Sequence, residues 1–170
     1  MNEFKIKLGA LSNETNSFKF KIKNTFFEEF PLSEVKSADI LAKVIIKKEN
    51  KHFKLQLILE GFIYNMLCDI CAEDLTIEFK ATTNAIIQNS TIEFDDDHVL
   101  IKTNENSIDL KQIIFESIIL NLPKKRKHKT NKNGKGECNQ EMLDLITKYR
   151  PTGVIPSDER WNELKKLKLK

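Results

Sequence analysis

The chain has 170 residues, 28 of them basic and 25 acidic, for a formal net charge of +3. That length holds one domain, or one domain with an extended tail, and can bury a core without staples. The charge is too small to imply nucleic-acid binding by itself, and no run approaches the roughly 18 apolar residues that a membrane helix needs.

An apolar fraction of 40% beside a charged fraction of 31% suggests a folded body plus a solvated segment. The opening Met1-Asn2-Glu3-Phe4-Lys5 leads into no early apolar segment, so no secretory signal is expected. The chain is read as cytoplasmic, with its three cysteines reduced.

Phe4, Ile6 and Leu8 alternate with Lys5 and Lys7, and Phe18, Phe20 and Ile22 alternate with Lys19, Lys21 and Lys23. Both patterns predict half-buried strands, apolar inward and lysine outward. Phe26, Phe27, Phe30 and Pro31 form an aromatic connection expected to plug one end of the core. Residues 38–48 read as a strand, Glu49-Asn50-Lys51 as a turn, and residues 53–64 and 75–88 as two further strands. This pattern is an antiparallel, locally connected sheet, since no long helical crossover is available for parallel pairing.

Residues 91–97 read as a loop and 99–103 as a last short strand. Asn104-Glu105-Asn106-Ser107 is a breaker. Leu110, Ile113, Ile114, Ser117, Ile118 and Leu122 then fall at helical spacing, with Ser107 or Asp109 as N-cap and Pro123 as the stop. Phe115, Ile119 and Leu120 widen the apolar stripe, so this helix is expected to pack across the sheet.

From Lys124 the composition turns basic and polar. Residues 124–136 have no apolar side chain to bury and predict a loop, or a disordered stretch unless something else orders it. Residues 141–149 read as a short helix. Ser157-Asp158-Glu159 reads as the cap of a final helix carrying Trp161, Leu164 and Leu167.

Cys68 and Cys71 stand between two predicted strands, at the tip of a hairpin. A tight turn there aims two thiolates at one point, as a tetrahedral metal site requires. The remaining soft ligands downstream of the packing helix are His128 and Cys138. A Cys-Cys-His-Cys set fills a structural zinc shell and leaves no open position. It would also tie down the basic loop, although His128 and Cys138 are spaced more widely than the usual close pairs. Two other readings stay open: an unmetallated relic, and a redox pair. The latter conflicts with the placement between strands, because redox pairs usually sit at a helix N-terminus.

Lys124, Lys125, Arg126, Lys127, Lys129, Lys132 and Lys135, with Lys165, Lys166 and Lys168 near the end of the chain, are candidate phosphate contacts for RNA. As a solvated linker the first cluster would have no such role. The acidic run Asp95-Asp96-Asp97 beside His98 reads as a solvated loop; as a metal-assisted hydrolase site it would be an RNA-processing centre. No nucleotide cradle, nucleophile elbow or His-Glu-x-x-His motif is present, so no small-molecule substrate is expected.

Several segments resemble one family. Leu67-Cys68-Asp69-Ile70-Cys71-Ala72-Glu73-Asp74-Leu75 resembles the C-D-R-C-L-E-x-F signature of the bacterial YceD family, the large ribosomal RNA subunit accumulation proteins. Ile108-Asp109-Leu110, then Glu116-Ser117-Ile118-Ile119-Leu120-Asn121-Leu122-Pro123, is similar to its I-D-L…E-x-I-L-L-x-L-P block. Ser157-Asp158-Glu159-Arg160-Trp161, with Leu164, looks like its closing D-P-R-W-x-x-L, with Glu159 where proline is usual. Ile70 replaces the signature's arginine, so no role of that arginine carries over. The resemblance implies a factor for large-subunit ribosomal RNA accumulation, acting in ribosome assembly, with no established catalytic activity.

The expectation is therefore an α+β fold. Residues 1–123 form a mainly antiparallel sheet with one long packing helix; residues 124–170 add a basic loop and a helical C-terminal tail. The expected function is non-enzymatic assembly of the large ribosomal subunit. Pre-ribosomal RNA or a large-subunit ribosomal protein is the partner, Arg160 and Trp161 are partner contacts, and one structural zinc ion is the cofactor. A zinc-stabilised protein-interaction module without RNA contact is the alternative.

Overall fold

The computed structural model describes residues 3–12, 15–49, 52–88, 99–102, 107–129 and 137–150. In chain order the elements are β1 (Lys5–Lys7), a single 3-10 turn at Leu8–Ala10, β2 (Thr15–Ile22), α1 (Asn24–Phe27), β3 (Ser37–Glu49), β4 (His52–Leu67), β5 (Asp74–Gln88), β6 (Val99–Lys102), β7 (Ser107–Asp109), α2 (Lys111–Leu120) and α3 (Gln140–Tyr149). The fold is α+β and mainly antiparallel. A five-stranded sheet runs β2-β3-β4-β5-β6, and β1 pairs with β7 in a separate two-stranded sheet. Among the described residues no helix is long and apolar enough to cross a membrane.

The three central strands are long because their alternation persists without a break. Along β3, Ala38, Ile40, Ala42, Val44 and Ile46 are buried while Asp39, Leu41, Lys43 and Lys47 are exposed. Leu55, Leu57, Leu59 and Ile63 of β4 and Ile77, Phe79, Ala85 and Ile87 of β5 complete the same buried face. Each large aliphatic chain buried there contributes ~1.5–3 kcal/mol relative to exposure. Gly61 sits opposite Ile40. A Cβ at Gly61 would run into the Asp39 carbonyl oxygen and the Ile40 Cα, so close backbone approach requires glycine here.

The aromatic connection closes one end of this core as expected. Phe26 and Phe27 of α1 are buried. Phe26 lies 5.2 Å from Phe4 and 5.5 Å from Phe30, and Phe30 stacks on Phe115 of α2 at 3.9 Å. α2 seats Ile113, Ile114 and Ile118 in the core. The N-cap of α2 is Leu110 and not Asp109; the Asp109 carboxylate, one residue earlier at the end of β7, accepts the Lys111 N–H at 2.9 Å.

The last strand of the main sheet, whose direction the sequence left open, is parallel: β6 pairs with the end of β5 from Ala85↔Val99 to Gln88↔Lys102. Two expectations need correction. Ser107 belongs to a strand, because β7 borrows its partner from β1 at the other end of the chain. Leu120 does not join the core: α2 stops there and leaves its side chain 82% exposed.

Candidate metal centre

β4 and β5 extend past the rest of the sheet and join through the turn that carries Cys68 and Cys71. A register shift between Ile63 and Met66 accommodates Asn65 at φ 54° and re-aims the end of β4. The turn closes on itself: Cys68 N–H donates to the Glu73 carbonyl at 2.9 Å and Ala72 N–H to the Cys68 carbonyl at 2.9 Å. Ala72 takes φ 57°, where a Cβ costs roughly 1–2 kcal/mol. This geometry turns both sulfurs inward, leaving Cys68 only 3% and Cys71 only 4% exposed.

The chain after α2 comes back to this turn. Arg126 N–H donates to the Asp69 carboxylate at 2.6 Å, and Asp69 N–H donates to the Arg126 carbonyl at 2.7 Å. The Arg126 guanidinium reaches Glu34 at 3.0 Å. That clamp sets His128 beside the cysteines. Past residues 130–136, Glu137 N–H donates to the Lys129 carbonyl at 3.3 Å, which returns the chain and presents Cys138. Asn139 then does two things. Its Oδ1 caps α3 through Glu141 N–H at 2.9 Å, and its Nδ2 donates to Glu73 of the cysteine turn at 2.9 Å.

Four donors converge as a result. Cys68, Cys71, His128 and Cys138 place their ligand atoms within 4.8 Å of one another. Cys68 Sγ to Cys138 Sγ is 3.8 Å, Cys71 Sγ to His128 Nδ1 is 3.4 Å, and Cys138 Sγ to His128 Nδ1 is 3.6 Å. A tetrahedron built on ordinary zinc–sulfur and zinc–imidazole distances has sulfur–sulfur edges of about 3.8 Å and sulfur–nitrogen edges of about 3.6 Å. The donor set and its spacing therefore suit a zinc ion with little movement of the chain. His128 Nε2 lies 3.1 Å from the Asp74 carbonyl, which holds the proton on Nε2 and leaves Nδ1 free to ligate.

The protons are already unevenly held. Burial pushes the Cys68 thiol up, but the backbone N–H groups of Cys71, Ile70 and His128, with the Cys71 side chain, outweigh it and bring Cys68 down to about 6. Burial, followed by hydrogen bonds with Cys68 and Cys71 and their negative charge, pushes Cys138 up to about 11. His128 is raised, chiefly by the Asp74 carbonyl; burial opposes, and the Cys68 and Cys71 sulfurs reinforce. Metal binding at such a cluster displaces the protons its donors still hold. With all four donors supplied by protein, such a shell would leave no place for a reacting water.

The other candidate residues divide into two groups. Lys124, Lys125, Arg126, Lys127 and Lys129 lie on the described stretch beside the cluster. Lys132, Lys135, Arg160, Trp161, Lys165, Lys166 and Lys168 lie outside the described residues, as do Asp95, Asp96, Asp97, His98 and the final helix. His52 sits at the β3–β4 end and pairs with Glu49 at 3.1 Å. Sequence reasoning missed Asp69, Glu73, Glu34 and Asn139 as the groups that seat the second pair of donors. Asn139 carried a legible signal, as a capping residue before Gln140-Glu141; the others are acids whose partners are distant in sequence.

No curated protein and no solved structure matches the chain. One family model does, over residues 61–168, which span the cysteine turn, α2 and α3. On that match the chain belongs to the YceD family, described as large ribosomal RNA subunit accumulation protein.

Proposed function

We propose that the protein is a non-enzymatic assembly factor that supports accumulation of large-subunit ribosomal RNA in the cytoplasm. The family match over residues 61–168 carries this reading. In it, one structural zinc ion on Cys68, Cys71, His128 and Cys138 locks the basic stretch to the hairpin tip. Lys124, Lys125, Lys127 and Lys129, with Lys132, Lys135, Lys165, Lys166 and Lys168, supply phosphate contacts to pre-ribosomal RNA, and Arg126, paired with Glu34, positions the stretch. Arg160 and Trp161 add partner contacts.

Sedimentation of ribosomal particles from cells lacking the protein tests the function. The expected profile is short of large subunits; an unchanged profile contradicts the reading. Elemental analysis tests the cofactor. Purified protein should carry equimolar zinc, and Cys68→Ser should abolish it.

A second reading is a zinc-stabilised module that binds a large-subunit ribosomal protein without touching RNA. The observation that favours it is α3, which leaves Leu145, Ile146 and Tyr149 exposed and has no buried residue. Binding measured against salt separates the two, because phosphate contacts give a steep slope and apolar contacts do not.

A further inference from the structure

The cations of the basic stretch are not presented equally. Arg126 and His128 are half-buried, while Lys125, Lys127 and Lys129 are exposed. The half-buried pair is committed to the body. Arg126 is held through Asp69 and Glu34, and His128 through the cysteine cluster and the Asp74 carbonyl. The alternation is that of a chain pinned by every second residue. No ion pair engages Lys125, Lys127 or Lys129 among the described residues. The Glu78 carboxylate, which feels Lys129, is already bonded to Lys80 at 3.0 Å.

We propose that Lys125, Lys127 and Lys129 form a rank that contacts successive phosphates of one single-stranded RNA segment, with Arg126 and His128 as the pins that hold it. This deepens the RNA reading above and rests on it. Lys125 stands at a bend and Lys127 and Lys129 on the irregular stretch after it; alternate residues of a chain are at most about 7 Å apart, comparable with the step between neighbouring phosphates. Arg126 is paired with Glu34 and contributes as a positioning residue, not as a phosphate contact. Because the pins restrain the backbone in advance, the rank loses less freedom on binding than a free lysine tail does.

A groove lies between the rank and the start of β5, walled by Lys125, Lys127 and Lys129 on one side and by Leu75, Ile77 and Glu78 on the other, with Pro123 at its end. Leu75, Ile77 and Pro123 offer apolar contact to the sugar or base edge of a strand whose phosphates lie on the lysines, and Glu78, bonded to Lys80, is the one acid among the described residues that line the groove. A duplex keeps its bases stacked inside and has no use for such contact, whereas an unpaired strand can turn a base toward it.

The test is binding of polyuridylate by the full chain across a salt series. Replacing Lys125→Gln, Lys127→Gln and Lys129→Gln together should reduce the magnitude of the log–log salt slope by about 2, the value for three lost contacts on a single strand. A control with the same charge loss, Lys19→Gln, Lys21→Gln and Lys43→Gln on the open face of β2 and β3, should leave the slope near wild type. All six positions are exposed, so both variants should fold. Wild-type binding with an arm variant of unchanged slope, or a control that loses as much, overturns the assignment. A wild-type protein with no affinity for polyuridylate or for a large-subunit ribosomal RNA transcript overturns the RNA reading itself, a separate failure.

Discussion

The long sheet and the stretch that follows Pro123 are joined to the molecule by different kinds of force. From β2 to β5 the cohesion is apolar and spread over many side chains, with Ile22, Ile40, Val44, Leu59, Ile63 and Ile87 all fully buried. α3 has no buried residue. What brings its segment to the body is a handful of polar and sulfur contacts at one turn: Arg126 with Asp69 and Glu34, Asn139 with Glu73, and His128 and Cys138 with Cys68 and Cys71. Distributed cohesion degrades gradually when one residue is lost. Concentrated cohesion fails when its centre is removed, and that makes the second region the one a metal can control.

The largest single effect is expected in the first region. Leu59→Ala should cost ~2–5 kcal/mol in denaturant unfolding, because a fully buried side chain leaves a cavity. The folded variant should still bind zinc with unchanged stoichiometry; if it lost zinc while folded, the two regions would not be separable.

In the second region, Cys71→Ser should remove zinc and expose the basic stretch to trypsin between Lys124 and Lys129, while the far-ultraviolet signal of the sheet persists. Collapse of the sheet signal would show that the cluster holds the whole fold and not one segment. Lowering the pH should weaken zinc binding, since each donor must shed its proton. The loss should steepen below about 6, where Cys68 also becomes protonated and one more proton must leave for each ion bound. Competition titration against a zinc indicator across pH reads this, and a flat profile would contradict the ligand set.

Asn139→Ala should cost about 1 kcal/mol of α3 helix stability through the lost cap. Faster amide exchange confined to α3 is the expected sign. Glu34→Gln removes one ion pair between an exposed acid and half-buried Arg126 and should cost about 1 kcal/mol or less. Its trypsin cleavage rate should rise only slightly over wild type.

The same contrast explains what was legible in the chain. The strands around Phe18, Ile40, Leu57 and Phe79 could be read directly, because alternation is a local signal and each residue reports its own face. The approach of His128 and Cys138 to Cys68 and Cys71 was readable by chemistry, since few other soft donors remain downstream of α2. The contacts that bring them there were not readable. Asp69 meets the Arg126 N–H and Glu73 meets the Asn139 side-chain amide across long stretches of chain, and nothing local marks an acid as the partner of so distant a donor. The direction of β6 and the pairing of β7 with β1 were not legible for the same reason, because three or four residues carry too little pattern to reveal a distant neighbour. Leu120 failed differently: its apolar character is plain, but it closes α2 one turn after exposed Glu116 and off the buried face of Ile114 and Ile118.

Hydrogen exchange with and without a zinc chelator tests most directly whether the donor cluster fastens the basic stretch and α3 to the hairpin tip. With zinc, amides at 124–129 and 137–149 should be protected. After chelation that protection should vanish while β3, β4 and β5 keep theirs. Equal protection of the two segments in both samples would contradict the account.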